Sequence, residues 1–354
     1  MAQRILKVGI AGLGRSGYDI HTRFLRTAPE RFKIVAAADP MADRRAEMAR
    51  EFSCRMYKDY TQLVRDTDID FIVNALPSFL HPKGTIAALN AGHNVVCEKP
   101  LATKVKDMDR MIAAARKARR LFAPFQNSRF SLFFAKAQEV IASGVLGRIL
   151  HIRANCSGFG RRWDWQTLQK NWGGNLNNTG PHSLDHAVML FGNKKPKVFS
   201  RLEHGDGSFG DADDFALVVL YGKGSPTVEV TVSSYQAYPQ GEMYNFSGTR
   251  GGMAGGVQGL KWRYYDPAKA PKQRRQRSWA IDRKYVSEKL RWVEKSWTPP
   301  HNDNFHAKSA GFYSNIHDVM TGKGKLVVTP AQVRRQVFVL EECHRQNPLP
   351  KLKT

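Results

Sequence analysis

The strongest constraint on the fold is a glycine motif near the N-terminus, in the stretch VGIAGLGRSG. Gly12, Gly14 and Gly17 form the pattern GxGxxG directly after an apolar run and at the start of a helical pattern. A second apolar run, FKIVAAAD, ends at Asp39, at the distance along the chain where a carboxylate can bind the ribose of a dinucleotide. In this context the motif predicts a Rossmann-type unit, because the glycines permit a tight turn and close approach of a pyrophosphate.

The same region predicts the cofactor. The Asp39 carboxylate favours NAD, since it can bind the free ribose hydroxyls and would repel the 2′-phosphate of NADP. Arg44 and Arg45 follow closely in the sequence and could bind the 2′-phosphate, so NADP is the less favoured alternative cofactor. The residues between the glycines are expected beside the pyrophosphate: Leu13, Arg15 and Ser16.

Length and periodicity predict an α/β protein with two domains, because 354 residues exceed the usual size of one domain. Residues 1–127 alternate strand-like runs with helical patterns, as a parallel sheet with crossover helices requires. Residues 128–354 carry one helix, then strands with long loops, and a last helix opening at Pro330, which predicts an α+β domain around a mainly antiparallel sheet. Within it, residues 258–305 read as a long, charged, Trp-rich excursion.

The formal net charge of +24 is the unusual bulk property. It could indicate a nucleic-acid partner, an acidic substrate or a basic surface. The local excess at residues 269–292 carries no nucleic-acid-binding motif, so a basic surface is favoured and polyanion binding is the weaker alternative. No apolar run has the length of a membrane span, and few residues precede the first strand. We therefore expect a cytoplasmic protein without a membrane or nucleic-acid partner.

A candidate acid/base site lies in the stretch GGNLNNTGPHSLDH. Pro181 suits the first turn of a helix that Gly192 ends, which places His182 at the helix start. The positive end of the helix dipole disfavours imidazolium there, so neutral His182 is the candidate base. His182 and His186 also have the i, i+4 spacing of a zinc site, but no third ligand is evident and we predict no metal.

Several motifs together resemble the Gfo/Idh/MocA family, which is named after glucose-fructose oxidoreductase, inositol dehydrogenase and a rhizopine-catabolism protein. They are GLGRSG, Asp39, the triplet Glu98-Lys99-Pro100 and the stretch WGGNLNNTGPHSLDHAVMLFG. The resemblance implies an N-terminal Rossmann domain, an open second sheet that often forms homodimers or homotetramers, and Pro100 in cis. It also implies a nicotinamide-dependent dehydrogenase or reductase acting on a secondary alcohol or ketone of a sugar, glycoside or cyclitol.

The resemblance also assigns roles to individual residues. It places Lys99 beside the nicotinamide and the reacting carbon, to stabilise the oxyanion or share a proton relay with His182. Asn178 stands where the family carries an aspartate, and an amide can orient a neighbour but cannot carry a proton. Further cofactor contacts are expected from Asn74, Pro77, His81, Glu98 and Asn127. Weaker expectations for substrate contacts fall on Arg162, Trp163, Trp165 and Asp185.

Two other functions stay open. Some relatives cleave glycosides by transient oxidation at C3, elimination and re-reduction, which uses NAD without net consumption. Loss of the carboxylate at position 178 is also compatible with a non-catalytic ligand-binding protein that has kept its Rossmann domain.

Overall fold

The chain folds around two β-sheets in the computed structural model, which describes residues 4–238, 241–274, 283 and 287–352. The strands of the first sheet are β1 (Leu6–Ala11), β2 (Phe32–Ala38), β3 (Arg55–Tyr57), β4 (Phe71–Asn74), β5 (Asn94–Cys97) and β6 (Phe122–Pro124). They pair in parallel in the order β3-β2-β1-β4-β5-β6. The strand order reverses between β1 and β4, and doubly wound sheets bind ligands at the carboxyl edge beside such a reversal.

Helices cover both faces of this sheet. A π-helix (Ser16–Thr22) continues into α1 (Arg23–Leu25), and the others are α2 (Ala42–Phe52), α3 (Tyr60–Leu63), α4 (His81–Asn90) and α5 (Val105–Ala118), with 3-10 turns at Ser78–Leu80 and Asn127–Phe130. The central strand β4 is buried along its whole length, as a strand covered on both faces must be. The parallel sheet expected for the first third of the chain is therefore confirmed.

The second sheet has eight strands in the described part of the chain. They are β7 (Ile149–Asn155), β8 (Lys197–Glu203), β9 (Phe215–Tyr221), β10 (Thr227–Ser233), β11 (Tyr244–Gly248), β12 (Gly251–Gly256), β13 (Gly259–Tyr265) and β14 (Trp292–Trp297). Their order is β14-β13-β12-β11-β7-β10-β9-β8, and all neighbouring pairs except β7 and β10 are antiparallel. The remaining helices are α6 (Leu132–Ala142), α7 (Asn175–Asn178), α8 (Gly180–Phe191), α9 (Phe305–Met320) and α10 (Pro330–Gln346), with 3-10 turns at Trp165–Thr167 and Gln169–Asn171. The mainly antiparallel second sheet is confirmed.

The structure corrects the interpretation of residues 258–305 as an excursion from the sheet. β13 and β14 lie within this range and extend the sheet in antiparallel register, with Arg263 opposite Glu294. The sequence signal is weak because the preceding strand β12 reads GGMAGG, without apolar alternation, and the edge strand β14 is largely exposed. Residues 275–282 and 284–286, which belong to the basic excess predicted at 269–292, lie outside the described residues.

The C-terminal helix α10 joins the two sheets, whereas α9 packs on the first sheet. Tyr313 of α9 packs in the core beneath the first sheet, and Val333 and Val337 of α10 pack on its other face. Further along α10, Leu340 packs in the core of the second sheet. α10 therefore contributes to the cores of both sheets, and the boundary between residues 127 and 128 stays a prediction.

The charged surface consists partly of exposed ion pairs, such as Arg334 with Asp109 and Arg345 with Glu342. Exposed pairs of this kind contribute little to stability, because water and salt screen them. Within the described ranges, no helix is long and apolar enough to cross a bilayer.

Candidate active site

The glycine motif forms a narrow turn at the carboxyl end of β1. Gly12 has a φ of +93°, and a Cβ there would lie 2.5 Å from the Ala75 carbonyl oxygen. A Cβ on Gly17 would lie 1.9 Å from the carbonyl oxygen of Gly12. By contrast, a Cβ on Gly14 would meet its nearest atom, Arg44 Nη1, at 4.0 Å. The fold itself therefore requires Gly12 and Gly17, whereas Gly14 leaves open space in which a phosphate can approach the backbone.

Asp39 lies just after β2 with a buried carboxylate that faces this turn. The carboxylate accepts hydrogen bonds from the backbone N–H of Leu13 at 2.8 Å and of Met41 at 2.9 Å. The Arg44 guanidinium lies 3.5 Å away, at the rim of the same space. The open turn and the carboxylate together fit a dinucleotide, which Gly14 and Asp39 would hold at its pyrophosphate and its ribose.

Several other residues predicted to contact the cofactor have partners within the protein. Asn74 donates a hydrogen bond to the His81 carbonyl oxygen at 2.9 Å, and the buried His81 ring lies 2.8 Å from the carbonyl oxygen of Pro100. The Lys99–Pro100 peptide bond is cis, as the resemblance implies. Asn127 is buried and donates to Ser309 Oγ at 3.3 Å. The remaining predicted cofactor residues near the turn are partly or fully exposed: Arg15, Ser16 and Pro77.

Lys99, just after β5, meets Asn178 at the junction between the two sheets, which is called the cleft below. Lys99 Nζ donates to the Asn178 backbone carbonyl oxygen at 2.8 Å and lies 3.4 Å from its side-chain Oδ1. The short helix α7 ends at Asn178, and α8 begins at Gly180. The end of α7, rather than a loop of glycines and asparagines, thus brings the carbonyl oxygens of Asn178 to the lysine.

The charge of Lys99 is perturbed by its surroundings. Burial lowers the pKa of Lys99, Glu98 opposes this effect, and the cations Arg15 and Arg162 lower the pKa further. A lowered pKa increases the fraction of neutral amine near physiological pH. Lys99 is therefore better suited to exchange a proton than an exposed lysine would be.

His182 lies in the first turn of α8, as predicted. Its Nδ1 is buried and has no hydrogen-bond partner among the residues that the structure describes. Burial lowers the pKa of His182 to about 3, the positive charges of Lys99 and Lys308 contribute, and Glu98 acts in the opposite direction. The imidazole is therefore neutral near pH 7, as the position at the helix start predicts, but it is a weak proton acceptor.

The next residues of α8 face the core. His186 pairs with the Tyr244 hydroxyl at 2.9 Å and with the Ser128 carbonyl oxygen at 3.0 Å, which accounts for both ring nitrogens. Asp185 forms a buried ion pair with Arg129, with Nη2 and Oδ1 at 2.8 Å. These contacts give no support to substrate binding by Asp185. In the described part of the chain, no group of three or more His, Cys, Asp or Glu side chains could hold a metal.

The 3-10 turn at Trp165–Thr167 and the loop before it carry the other predicted substrate residues. Trp163 is 75% exposed and Trp165 is 45% exposed. Arg162 donates to Asp164 at 2.8 Å, and its charge is close enough to lower the pKa of Lys99. Arg162 is therefore near the lysine, and both tryptophans expose aromatic surface to solvent.

Two buried residues near Lys99, His21 and Tyr313, are not predicted from the sequence. His21 is fully buried, and its ring lies between Glu98 and Tyr313. Nothing in the sequence distinguishes His21 from an ordinary core histidine, because Glu98 and Tyr313 are distant along the chain.

Sequence models of one family match both domains. The model for the NAD-binding Rossmann fold of the GFO/IDH/MocA oxidoreductase family matches residues 6–125, and the model for the GFO/IDH/MocA C-terminal domain matches residues 134–254. Together the two matches cover more than half of the chain. The chain belongs to the Gfo/Idh/MocA family.

Individual relatives of this Gfo/Idh/MocA protein are distant. An uncharacterised oxidoreductase of Schizosaccharomyces pombe is 30% identical over 53% of this chain and 52% of its own length. Myo-inositol 2-dehydrogenase of Thermotoga maritima is 28% identical over 62% and 66%, and 2,7-anhydro-N-acetylneuraminate hydratase of Mediterraneibacter gnavus is 27% identical over 60% and 57%. The chain thus spans about half the length of the first curated relatives it matches. A solved NAD-binding protein from Listeria innocua shares the fold, with a TM-score of 0.79, 20% identity, and coverage of 99% of this chain and 100% of its own.

Proposed function

We propose that this Gfo/Idh/MocA protein is an NAD(H)-dependent oxidoreductase that transfers a hydride between nicotinamide and a secondary alcohol or ketone of a sugar, glycoside or cyclitol. The observation that carries the proposal is the position of Lys99, which follows β5 at the same sheet edge as the glycine turn and contacts Asn178 in the cleft. The named inositol 2-dehydrogenase relative supports the substrate class.

The cofactor would be held at the turn after β1. Gly14 leaves space for the pyrophosphate, the N-terminus of the following helix favours phosphate charge, and Asp39 can accept hydrogen bonds from ribose hydroxyls. When bound, the nicotinamide supplies the hydride acceptor or donor.

Lys99 is the proposed proton-exchanging group. In oxidation, its neutral amine accepts the hydroxyl proton as the carbinol C–H bond breaks, and the ammonium that forms then lies beside the new carbonyl oxygen. In reduction, the same proton returns to the oxygen. A pKa of about 3 makes His182 unsuited to hold this proton, so we assign the base role to Lys99 and let neutral His182 hydrogen-bond the reacting oxygen.

A panel assay tests this function. The protein is mixed with NAD and a set of sugars, sugar acids and cyclitols, and the absorbance of reduced nicotinamide is followed. Turnover of at least one neutral or acidic polyol is expected. Bound cofactor without turnover of any member would contradict the proposal.

The second candidate is glycoside cleavage by transient C3 oxidation, elimination and re-reduction. The relative named as a hydratase favours it, because a hydratase is not named for a net redox reaction. An aryl glycoside distinguishes the two functions: release of the aglycone without accumulation of NADH supports cleavage and contradicts net oxidation.

NAD is expected to bind more tightly than NADP. The buried Asp39 carboxylate repels a 2′-phosphate. The Arg44 guanidinium, the nearby cation that could attract this phosphate, lies 3.5 Å from the Asp39 carboxylate and is already paired with it. Titration of both cofactors against tryptophan fluorescence measures the preference. Arg44→Gln should weaken NADP more than NAD, whereas Arg50→Gln, on the exposed side of α2, should change neither. Tighter binding of NADP by the wild-type protein would refute this preference.

Asn178→Asp is expected to move the pH profile of oxidation to higher pH. A carboxylate at the Oδ1 position, 3.4 Å from Lys99 Nζ, favours the ammonium and raises the pKa of Lys99. Neutral Lys99 then forms only at higher pH, which kcat/KM measured against pH will show. Asn178→Ala retains the backbone carbonyl contact and should leave the profile in place. In the same assay, substantial activity of the wild-type protein would exclude the alternative that this protein binds a ligand without catalysis.

A further inference from the structure

Three buried side chains form a continuous row behind Lys99. The Tyr313 hydroxyl, from α9, lies 2.6 Å from His21 Nδ1, and His21 Nε2 lies 3.2 Å from Glu98 Oε1. The second oxygen of Glu98 accepts a hydrogen bond from the Lys99 backbone N–H at 3.0 Å. His21 and Tyr313 have no exposed surface, so water does not compete for these contacts. The row therefore connects a helix near the C-terminus to the backbone of Lys99.

This row keeps Glu98 ionised. Burial alone raises the pKa of a carboxyl group, but the hydrogen bond from His21 and the charge of the neighbouring Lys99 help to lower the pKa of Glu98 to about 2. An ionised carboxylate only accepts hydrogen bonds, so His21 donates to it from Nε2. The Nδ1 atom then pairs with the Tyr313 hydroxyl, which fixes the plane of the ring.

We propose that His21 and Tyr313 are positioning residues for Lys99 that act through the Glu98 carboxylate. The inference rests on the proposed role of Lys99. Glu98 holds the Lys99 backbone where the chain enters the cleft, and its charge opposes the effect of burial on the ammonium. The other charged groups that face Lys99 are Arg15 and Arg162, and both lower the pKa of Lys99.

The local backbone supports a specific role for His21. The helix after the glycine motif is π-helical over Ser16–Thr22, and His21 is one of its buried residues. A π-helix has a wider turn than an α-helix and changes which side chains face the sheet, a deviation common at functional sites. Tyr313 also stacks on Phe24 at 5.0 Å, so its ring has a packing role that Phe would preserve. An effect of Tyr313→Phe on Lys99 would therefore report the loss of the hydroxyl group and not a change in ring packing.

The titration of Lys99 provides the test, and it needs neither cofactor nor substrate. The rate of Lys99 acetylation by acetic anhydride is measured against pH by mass spectrometry of the peptide that contains it. Glu98→Gln removes the charge that favours the ammonium, so the midpoint should fall by about 1 unit. In His21→Leu, Glu98 loses the hydrogen bond that fixes its carboxylate beside the Lys99 backbone, and the midpoint should fall less. Tyr313→Phe should give the smallest decrease.

Two further variants control the test. Tyr244→Phe removes the matched buried hydroxyl, 2.9 Å from His186 Nδ1, and should leave Lys99 unchanged because it does not touch Glu98. His21→Gln retains an N–H donor and should restore most of the wild-type midpoint. The proposal is overturned when Glu98→Gln shifts the midpoint but Tyr313→Phe and folded His21→Leu do not. If His21→Leu does not fold, the acetylation midpoint of Tyr313→Phe decides the test, because this variant keeps the aromatic ring.

The acetylation test of Lys99 can succeed or fail independently of the test of the proposed oxidoreductase activity. A shifted midpoint in a protein without turnover supports the positioning row and contradicts only the proposed oxidoreductase activity. Turnover with an unshifted midpoint supports the activity and contradicts the row.

Discussion

Lys99→Met is expected to lower kcat by about 100- to 10,000-fold, the usual contribution of a general acid or base. Methionine has a similar length and can pack in the half-buried position, but it cannot exchange a proton or donate to the Asn178 carbonyl oxygen. NADH binding should persist, because the turn after β1 is unchanged. Steady-state kinetics on a substrate found in the panel assay, with a parallel NADH titration, measures both properties.

Lys104→Met is the matched control for this variant. Lys104 lies five residues further along the chain and is exposed. Its Nζ lies 3.7 Å from Glu341 Oε1, outside the cleft. It should retain wild-type turnover. A Lys99→Met protein that keeps more than a small fraction of the wild-type kcat would remove Lys99 from the proton-exchange step.

Gly17→Ala is expected to destabilise the fold by about 3 kcal/mol or more, because the added methyl group would overlap backbone atoms that cannot move aside easily. The clash is with the Gly12 carbonyl oxygen at 1.9 Å. Cofactor binding should be lost together with the cooperative melting transition of the first domain. Thermal unfolding followed by circular dichroism measures this effect.

Gly14→Ala separates cofactor binding from folding. The added methyl group meets its nearest atom at 4.0 Å, so the melting temperature should stay near that of the wild type. The methyl group would occupy space needed by the pyrophosphate, and NADH binding should weaken by roughly tenfold, or about 1.4 kcal/mol. Equal melting temperatures for the Gly14 and Gly17 variants would contradict the different roles assigned to the two glycines.

Features encoded by neighbouring residues were predictable from the sequence. The turn after β1, the carboxylate at Asp39 and the helix start at His182 depend on residue types within short segments, and each is found where it was predicted. β12 was missed because three-dimensional pairing, not apolar alternation, makes the GGMAGG segment a strand, and β13 and β14 beyond it were interpreted as an excursion.

The sequence by itself determined the dinucleotide turn, the family and the presence of Lys99 in its motif, because steric limits on a tight turn act between residues close together in the chain. Only the tertiary structure decided that Lys99 contacts Asn178, and that His21 and Tyr313 lie behind Glu98. It also lowers the pKa of His182 to about 3, which is why we propose Lys99 rather than His182 as the base. The physical reason is that burial and charge set a pKa, and both come from side chains that are far apart in sequence.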